Sequence, residues 1–553
     1  MKKSFSGANR TRQLEEMQEG TFDVLVIGGG ITGAGIALDA QTRGMRTALI
    51  EMQDFAAGTS SRSTKLVHGG LRYLKQLEVG VVAEVGKERA VVYENGPHVT
   101  TPERMLLPIY CGGSLGSFTT SIGLKLYDFL AGVKRAERRT MLSREETLRK
   151  EPLLKPEGLR GSGCYVEYRT DDARLTIEVL KKAVDSGASA VNYTQAKQFL
   201  YANGKLTGVH ALDLLDGRML TLRARCIVNA TGPWVDNLRE LDRPKQERTL
   251  RLTKGVHLVF AGSRFPLRQA VYFDTSDGRM VFAIPRDGKT YIGTTDTDYD
   301  GDMTNPQSSR SDRNYLLQAA NEMFPSLQLT ENNVESGWAG LRPLICEEGK
   351  PPSEVSRKDE VFRSDSGLFT IAGGKLTGYR KMAENVTDRL AKELQSQGLG
   401  PFRRCSTRTM PISGGDVGGS AGFPAFLKAM AEEGVRQGLS PAVARQLAWR
   451  YGSNVTGLHD LLPQASEEAA RWSLPIDVYA ALIYGIEREM VMKPTDFLIR
   501  RTGSLFFDID GFHRWKDGVI KVLADRLHYS EEQTRQYQDE LEARLREVVV
   551  PGD

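Results

Sequence analysis

Residues Phe22 to Gly35 read FDVLVIGGGITGAG, an apolar and β-branched run of strand length that ends on glycines at Gly28, Gly30 and Gly33. The spacing is GxGxxG, and each glycine has its own task. One makes a tight turn, one lets backbone approach a pyrophosphate, and one packs the next helix against the strand. A helix opening at this turn aims free N–H groups and the positive end of its dipole at phosphate. Thr47 to Ile50 predicts a second strand ending on Glu51, about twenty residues beyond the motif, where a carboxylate accepts from ribose hydroxyls. The same carboxylate repels a 2′-phosphate. These residues predict a dinucleotide site in an α/β domain, with NADP disfavoured and FAD and NAD both open.

A chain of 553 residues exceeds what one core usually holds, so two or three domains are expected. Lys plus Arg at 74 against Asp plus Glu at 70 leaves a net charge of +4, which gives no case for a nucleic-acid partner. Cys111, Cys164, Cys226, Cys346 and Cys405 are scattered without a CxxC pair. Neither a disulfide framework nor a metal site is expected, and a reducing cytoplasm fits best. The N-terminal twenty residues start basic but reach no apolar core, so they do not read as a secretory signal. No stretch has the length of apolar residues that spans a bilayer, which confines any membrane contact to the surface.

Small hydroxyl residues Thr59, Ser60, Ser61, Ser63 and Thr64 precede Lys65, Leu66, His68, Gly69, Gly70, Arg72 and Tyr73. So many donors ahead of a glycine pair suit a segment lying along an extended polar ligand. Ile122 to Arg139 predicts a helix with an apolar stripe and flanking lysines and arginines, which would either cover a core or lie on anionic lipid. From Asp171 a helix, a short strand and a meander turning at Asn203-Gly204 and Asp216-Gly217 lead to a strand ending in Ala230, Thr231 and Gly232. That is a second sharp approach of backbone to a ligand. Arg251 to Asp296 predicts antiparallel strands with a hairpin at Asp287-Gly288. His257, Thr295 and Arg342 fall at strand ends here, as candidates to face a ligand.

FTIAGGKLTGYR, Phe369 to Arg380, repeats the opening plan of strand, glycines and helix, with the helix expected near Lys375. A helix N-terminus and a lysine beside a redox ring favour negative charge on it. Two such elements far apart in the chain predict one cofactor domain built from separated segments. Contacts so widely spread favour FAD over NAD. Beyond a linker from Gly398 to Thr409 the chain reads as helical.

The runs TSSRSTKLVHGGLRYL, NATGPWVD, RLTKGVHLVF, IGTTDTDY, GLRPL, AGGKLTGYRKMAE and EREMVMKPTDFLIRRT occur in the order seen in FAD-dependent glycerol-3-phosphate dehydrogenases, and the resemblance covers nearly the whole chain. It implies an α/β fold similar to D-amino acid and sarcosine oxidases. Residues 20–76, 150–250 and 355–400 would form a discontinuous Rossmann-like FAD domain. Residues 77–149 and 251–354 would form an antiparallel-sheet substrate domain, and 401–553 an all-helical C-terminal domain. The implied reaction oxidises sn-glycerol 3-phosphate to dihydroxyacetone phosphate, with electrons passing through FAD to membrane quinone. Peroxide-forming glycerol-3-phosphate oxidases, amine or amino-acid oxidases of the same fold, and a non-catalytic protein that keeps the nucleotide fold are the alternatives.

By the same resemblance Arg72, Tyr73, Thr295 and Arg357 match positions that hold the substrate phosphate, with Thr377 beside them, while Arg342 and Lys375 lie near the reacting hydroxyl. Arginine suits this task because its planar fork makes two-point contacts with phosphate. Imidazole titrates in the right range for a base, which makes His257 the first candidate and His68 the second; His68 is also a candidate for contact with the cofactor. Lys375, next to Arg342, is the third. The quinone acceptor implies a cytoplasmic protein lying peripherally on the inner face of the membrane. Association as a homodimer stays open.

Overall fold

The computed structural model describes residues 4–68, 79–112, 137–242, 248–347 and 359–552. Gly69, Gly70, Arg72, Tyr73, Arg357 and most of the expected Ile122 to Arg139 helix lie outside them.

Two sheets organise the first four hundred or so residues. The first has eight strands, and its path runs Glu360–Arg363, Leu368–Ala372, Met219–Asn229, Thr21–Ile27, Thr47–Ile50, Ser189–Val191. Pairing along this path is parallel except at the Glu360–Arg363 edge. Its central strands are buried on both faces and read as continuous apolar runs, as a parallel sheet covered by helices requires. The helix Ile31–Thr42 packs beside Asp172–Asp185 and Tyr379–Ser396. A Cβ on Gly35 would lie 3.0 Å from the Tyr379 ring, so this glycine sets how closely the two helices meet.

The second sheet has ten strands and is mostly antiparallel. Its longest ladder joins Arg248–Ala261 to Val334–Glu347. The hairpin at Asp287-Gly288 turns with φ of 51° and 77°, the left-handed pair that a two-residue turn needs. The expected domain boundaries need correction. Leu66–Val67 and Leu159–Thr170 were assigned to the nucleotide domain, yet they pair with each other, and Leu159–Thr170 pairs with Thr100–Tyr110, so both belong to the second sheet. The chain crosses from one sheet to the other within a few residues of Lys65, a change that strand-length apolar patterning does not mark.

The α-helix after Gly373-Gly374 also begins later than expected. Lys375 precedes a 3₁₀ turn, Leu376–Gly378, and the α-helix starts at Tyr379.

From Gly419 to Val549 the chain is helical. It docks on the nucleotide domain through buried charges. Arg501 donates to Asp54 from both terminal nitrogens, at 2.6 and 3.0 Å, and Arg500 donates from Nε at 2.5 Å. Arg500 also reaches Asp496 at 2.7 Å. A second knot joins Glu489 to Arg174 and to Lys181, the latter at 3.2 Å. Burial opposes the charge on Asp54, but Arg501 and Arg500 hold its pKa at about 2; burial likewise opposes Glu489, which Arg174 and Lys181 hold at about 2.

Breaking one member strands the others in low dielectric. Asp54→Asn is expected to destabilise the fold by about 3–5 kcal/mol, measured by urea unfolding. A loss below about 1 kcal/mol would mean the lattice is solvated and contributes as surface pairs do.

Candidate active site

The GxGxxG turn forms where strands Thr21–Ile27 and Met219–Asn229 end side by side. Gly28 has φ +116°, and a Cβ there would sit 2.4 Å from the Ala230 carbonyl oxygen. At Gly33 a Cβ would lie 1.9 Å from the Gly28 oxygen, so Gly33 closes the helix onto the turn from behind and does not face the ligand groove. Ser60 Oγ accepts the Ile31 N–H at 2.9 Å and caps part of the new helix end. Glu51 accepts N–H groups from Gly29 and Gln53, each at 2.7 Å. Burial raises the Glu51 pKa, and these two bonds work against the rise. A carboxylate accepting two bonds keeps lone pairs for a ribose hydroxyl.

A cavity of about 640 Å³ runs along these groups. Gly28, Gly30, Glu51, Thr59, Ser60, Ser63, Ala230, Thr231, Gly232, Gly374, Lys375 and Leu376 line it, which brings together residues spread over most of the chain. Gly232 and Gly374 sit at φ +59° and +84°, so backbone rather than side chain forms the wall at both places.

The groove meets a second cavity of about 720 Å³ at Thr59, Ser63, Pro343 and Gly373 to Leu376. The second cavity is lined by the apolar and aromatic side chains of Leu66, Leu107, Tyr165, Tyr272, Met280 and Phe282. It is also lined by His68, His257, Thr295, Arg342, Lys375 and Thr377, with the His68 ring edge-on to Phe282 at 6.2 Å between centroids. Arg342 is half-buried and donates to the Thr294 hydroxyl at 2.8 Å and the Thr295 carbonyl at 3.1 Å, with Asp296 at 3.3 Å. Thr295 spends its hydroxyl on the neighbouring strand, accepting from Val256 N–H at 3.1 Å and donating to the Lys254 carbonyl at 3.3 Å. Thr377 Oγ1 accepts the His68 N–H and donates to the His68 carbonyl, both at 3.1 Å, and so fixes the backbone of that histidine.

His257 lies nearly parallel to Trp338, with ring centroids 4.8 Å apart, and its Nε2 is 3.0 Å from Thr64 Oγ1. It is 1% exposed, and its Nδ1 is buried with no hydrogen-bond partner. Burial first, then the charges of Arg342 and Lys65, pushes its pKa well below the ordinary range. Burial, Lys375 and Arg89 push His68 down to about 3. Both imidazoles are therefore neutral near pH 7.

Besides Gly33, two expected cofactor contacts, Ser61 and Lys65, line neither cavity. Lys65 donates to Asp172 at 2.7 Å and to the Ser61 carbonyl at 2.9 Å, and neither Lys65 nor Ser61 lines the groove. A buried ammonium demands a carboxylate partner, and Asp172 supplies one. Ser63 lines both cavities but commits its hydroxyl to Asp172 at 2.7 Å. Thr64, one of the hydroxyls expected along the ligand, takes a place beside His257, and the structure adds three groups that carry no such expectation: Trp338 against His257, and Thr294 and Asp296 around Arg342. Strand alternation places Trp338 opposite His257 once the register is known, but no local signal gives that register.

The FAD dependent oxidoreductase family matches residues 23–380, and a C-terminal domain of alpha-glycerophosphate oxidase matches residues 405–534. An aerobic glycerol-3-phosphate dehydrogenase of Bacillus subtilis (strain 168) is 59% identical over 551 residues, covering 100% of this chain and 99% of its own. The chain belongs to the aerobic glycerol-3-phosphate dehydrogenase family. The same relationship extends to Staphylococcus aureus (strain USA300), at 56% identity over 97% of this chain and 96% of the relative. The X-ray structure of the glycerol-3-phosphate dehydrogenase from Bacillus halodurans complexed with FAD superposes with a TM-score of 0.86, at 50% identity over 99% of each chain. The L-alpha-glycerophosphate oxidase of Mycoplasma pneumoniae, at 17% identity and a TM-score of 0.56 over 70% of this chain and 97% of its own, shares the fold. The family's cofactor is FAD, and the groove fits it: a backbone-lined channel for the ADP half opens into a wider chamber at the Lys375 end.

Gly28→Ala is expected to give protein purified without the flavin band, because the added methyl meets backbone that cannot yield. Retention of FAD by the variant at wild-type occupancy would contradict this geometry. The depressed histidines predict a pH effect. His68 titrates at about 3 when folded against 6.5 ordinarily, so the unfolded chain binds more protons below about pH 6.5. Its contribution to stability is complete above pH 6.5 and is lost as the pH falls toward 3. His68→Asn should accordingly flatten the decline in urea midpoint between about pH 6 and 5.

Proposed function

We propose that this chain oxidises sn-glycerol 3-phosphate at C2 to dihydroxyacetone phosphate and delivers the electrons to a membrane quinone. The observation that carries the reading is the position of Arg342, Lys375, His68 and Thr64 around one chamber at the end of the FAD groove. FAD supplies the acceptor for the C2 hydrogen and its electron pair. The protein must hold a phosphate dianion, orient C2 and accept the hydroxyl proton.

Arg342 and Lys375 supply the cations that line the chamber, and Arg72, Tyr73 and Arg357 complete the phosphate site by family likeness. For the proton, His257 reaches the chamber through Thr64. The Thr64 oxygen accepts the proton of the substrate hydroxyl while its own hydrogen passes to His257 Nε2, 3.0 Å away. The stack on Trp338 holds the ring for that transfer. His68 is the alternative base.

The apolar and aromatic lining of Leu66, Leu107, Tyr165, Tyr272, Met280 and Phe282 supports an apolar ring as the second electron acceptor. No helix among the described residues is long and apolar enough to cross a membrane, so the proposed attachment is peripheral. Homodimerisation would be compatible with it.

Anaerobic addition of glycerol 3-phosphate should bleach the flavin absorbance, and a short-chain quinone should restore it without peroxide. Restoration by oxygen with stoichiometric peroxide would reassign the chain as an oxidase. Thr64→Val keeps side-chain shape and removes the hydroxyl. A loss of about 10²- to 10⁴-fold in the rate of anaerobic bleaching, with KM little changed, is expected if the relay operates. An unchanged rate shifts the base to His68.

A further inference from the structure

A third cavity, of about 290 Å³, lies between the Met52 to Arg62 segment, the loop Asn305 to Ser308 and the C-terminal helices. Its carboxylates are already matched. Asp54 is held by Arg500 and Arg501, Glu540 by Lys493 at 2.9 Å, and Glu547 by Arg544 at 2.8 Å. Arg62 is the cation left over. Among the described residues its guanidinium makes one hydrogen bond, from Nη2 to the Thr304 carbonyl at 3.5 Å, the outer limit for such a bond. No carboxylate among the described residues lies within ion-pair distance of it. A guanidinium offers five N–H donors, and Arg62 lines both this cavity and the second chamber.

We propose that this cavity is a second anion site, in which Arg62 holds a compact phosphate-type oxyanion, either inorganic phosphate or a small phosphate monoester. Arg62 and Arg544 both line the space, with Glu547 paired to Arg544. Burial first, then Arg544 and Arg500, pushes the Arg62 pKa down to about 10 against the pull of Glu547 and Asp302, so these carboxylates offset the repulsion only in part and an added anion would relieve the rest. A planar fork binds phosphate by two points, which fits arginine better than lysine here.

The site is coupled to the cofactor by chain connectivity. Met52, Gln53 and Ala57 line both this cavity and the FAD groove, and the same segment carries Glu51, Thr59 and Ser60. An anion that pins Arg62 also pins this segment and slows release of FAD. By linkage, whatever factor the anion adds to the equilibrium affinity for FAD, bound FAD adds to the affinity for the anion.

The test titrates holoenzyme with inorganic phosphate and with glycerol 2-phosphate by calorimetry, and times FAD release by its fluorescence. Wild type should show a phosphate site that persists in Arg342→Ala, weakens about tenfold or more in Arg62→Gln and partly recovers in Arg62→Lys. Phosphate should slow FAD release about fivefold in wild type and have no such effect in Arg62→Gln. Tighter binding of the ester assigns the site to phosphorylated metabolites, and tighter binding of phosphate assigns it to the free ion. Unchanged phosphate binding in an Arg62→Gln protein with a normal flavin spectrum overturns the site. Binding that Arg62→Gln abolishes, with FAD release indifferent to phosphate in wild type, overturns the coupling.

Discussion

The structure depends on a carboxylate, Asp54, that has no access to water and two arginines to answer. It sits three residues after Glu51 and six before Ser60, inside the segment that closes the FAD groove. Its partners Arg500 and Arg501 belong to a π-helical turn, Asp496–Arg501, of the C-terminal domain. The lattice therefore does more than dock one domain on another. It fixes the segment whose backbone and hydroxyls face the nucleotide, so the helical domain supports cofactor binding without touching the groove at Glu51 or Ser60. Charge pairs in low dielectric seldom add much net stability against apolar replacements, but they specify register strongly. A lattice that couples Asp54 and Asp496 to Arg500 and Arg501 admits few docking positions.

Electrostatics in the second chamber follow from the same economy of water. On the proposed reading, Arg342 and Lys375 stand near a place where negative charge gathers, on a phosphate and on a reduced ring. Those cations, and burial, keep His68 and His257 neutral. A neutral imidazole has a lone pair to offer a proton, yet it is a weak base when its pKa is low. The arrangement suits a transfer in which the proton moves as the C2 hydrogen leaves, because a fully formed imidazolium beside Arg342 would be disfavoured.

Much of the groove was legible because glycines at a strand end leave few alternatives. Gly28, Gly30 and Gly33, the Ala230 to Gly232 turn and Gly373-Gly374 each announce close backbone approach, and the structure puts the first two in contact across Ala230. Glu51 was legible from its distance to the motif. What local pattern could not supply was direction. Ser61 and Lys65 have the composition of ligand contacts, but whether a hydroxyl or an ammonium turns inward depends on Asp172, more than a hundred residues away. The change of sheet near Leu66 escaped for the same reason, since a two-residue strand carries no periodicity. Thr64 looked like one hydroxyl among several until the fold placed His257 beside it.

The Glu51 to Val67 segment draws these points together. In seventeen consecutive residues it supplies a carboxylate to the nucleotide groove, an anchor to the C-terminal helices, a cap to the Ile31–Thr42 helix, a hydroxyl to His257 and a strand to the second sheet. Each role is fixed by a partner from a different part of the chain. Such a segment cannot shift for one partner without moving the others, because its backbone is continuous and its side chains alternate between them. Communication between the C-terminal domain, the groove and the chamber then needs no large rearrangement. On the proposed reading, Arg62 lies two residues from Thr64, so the anion site and the hydroxyl beside His257 share one short stretch of backbone.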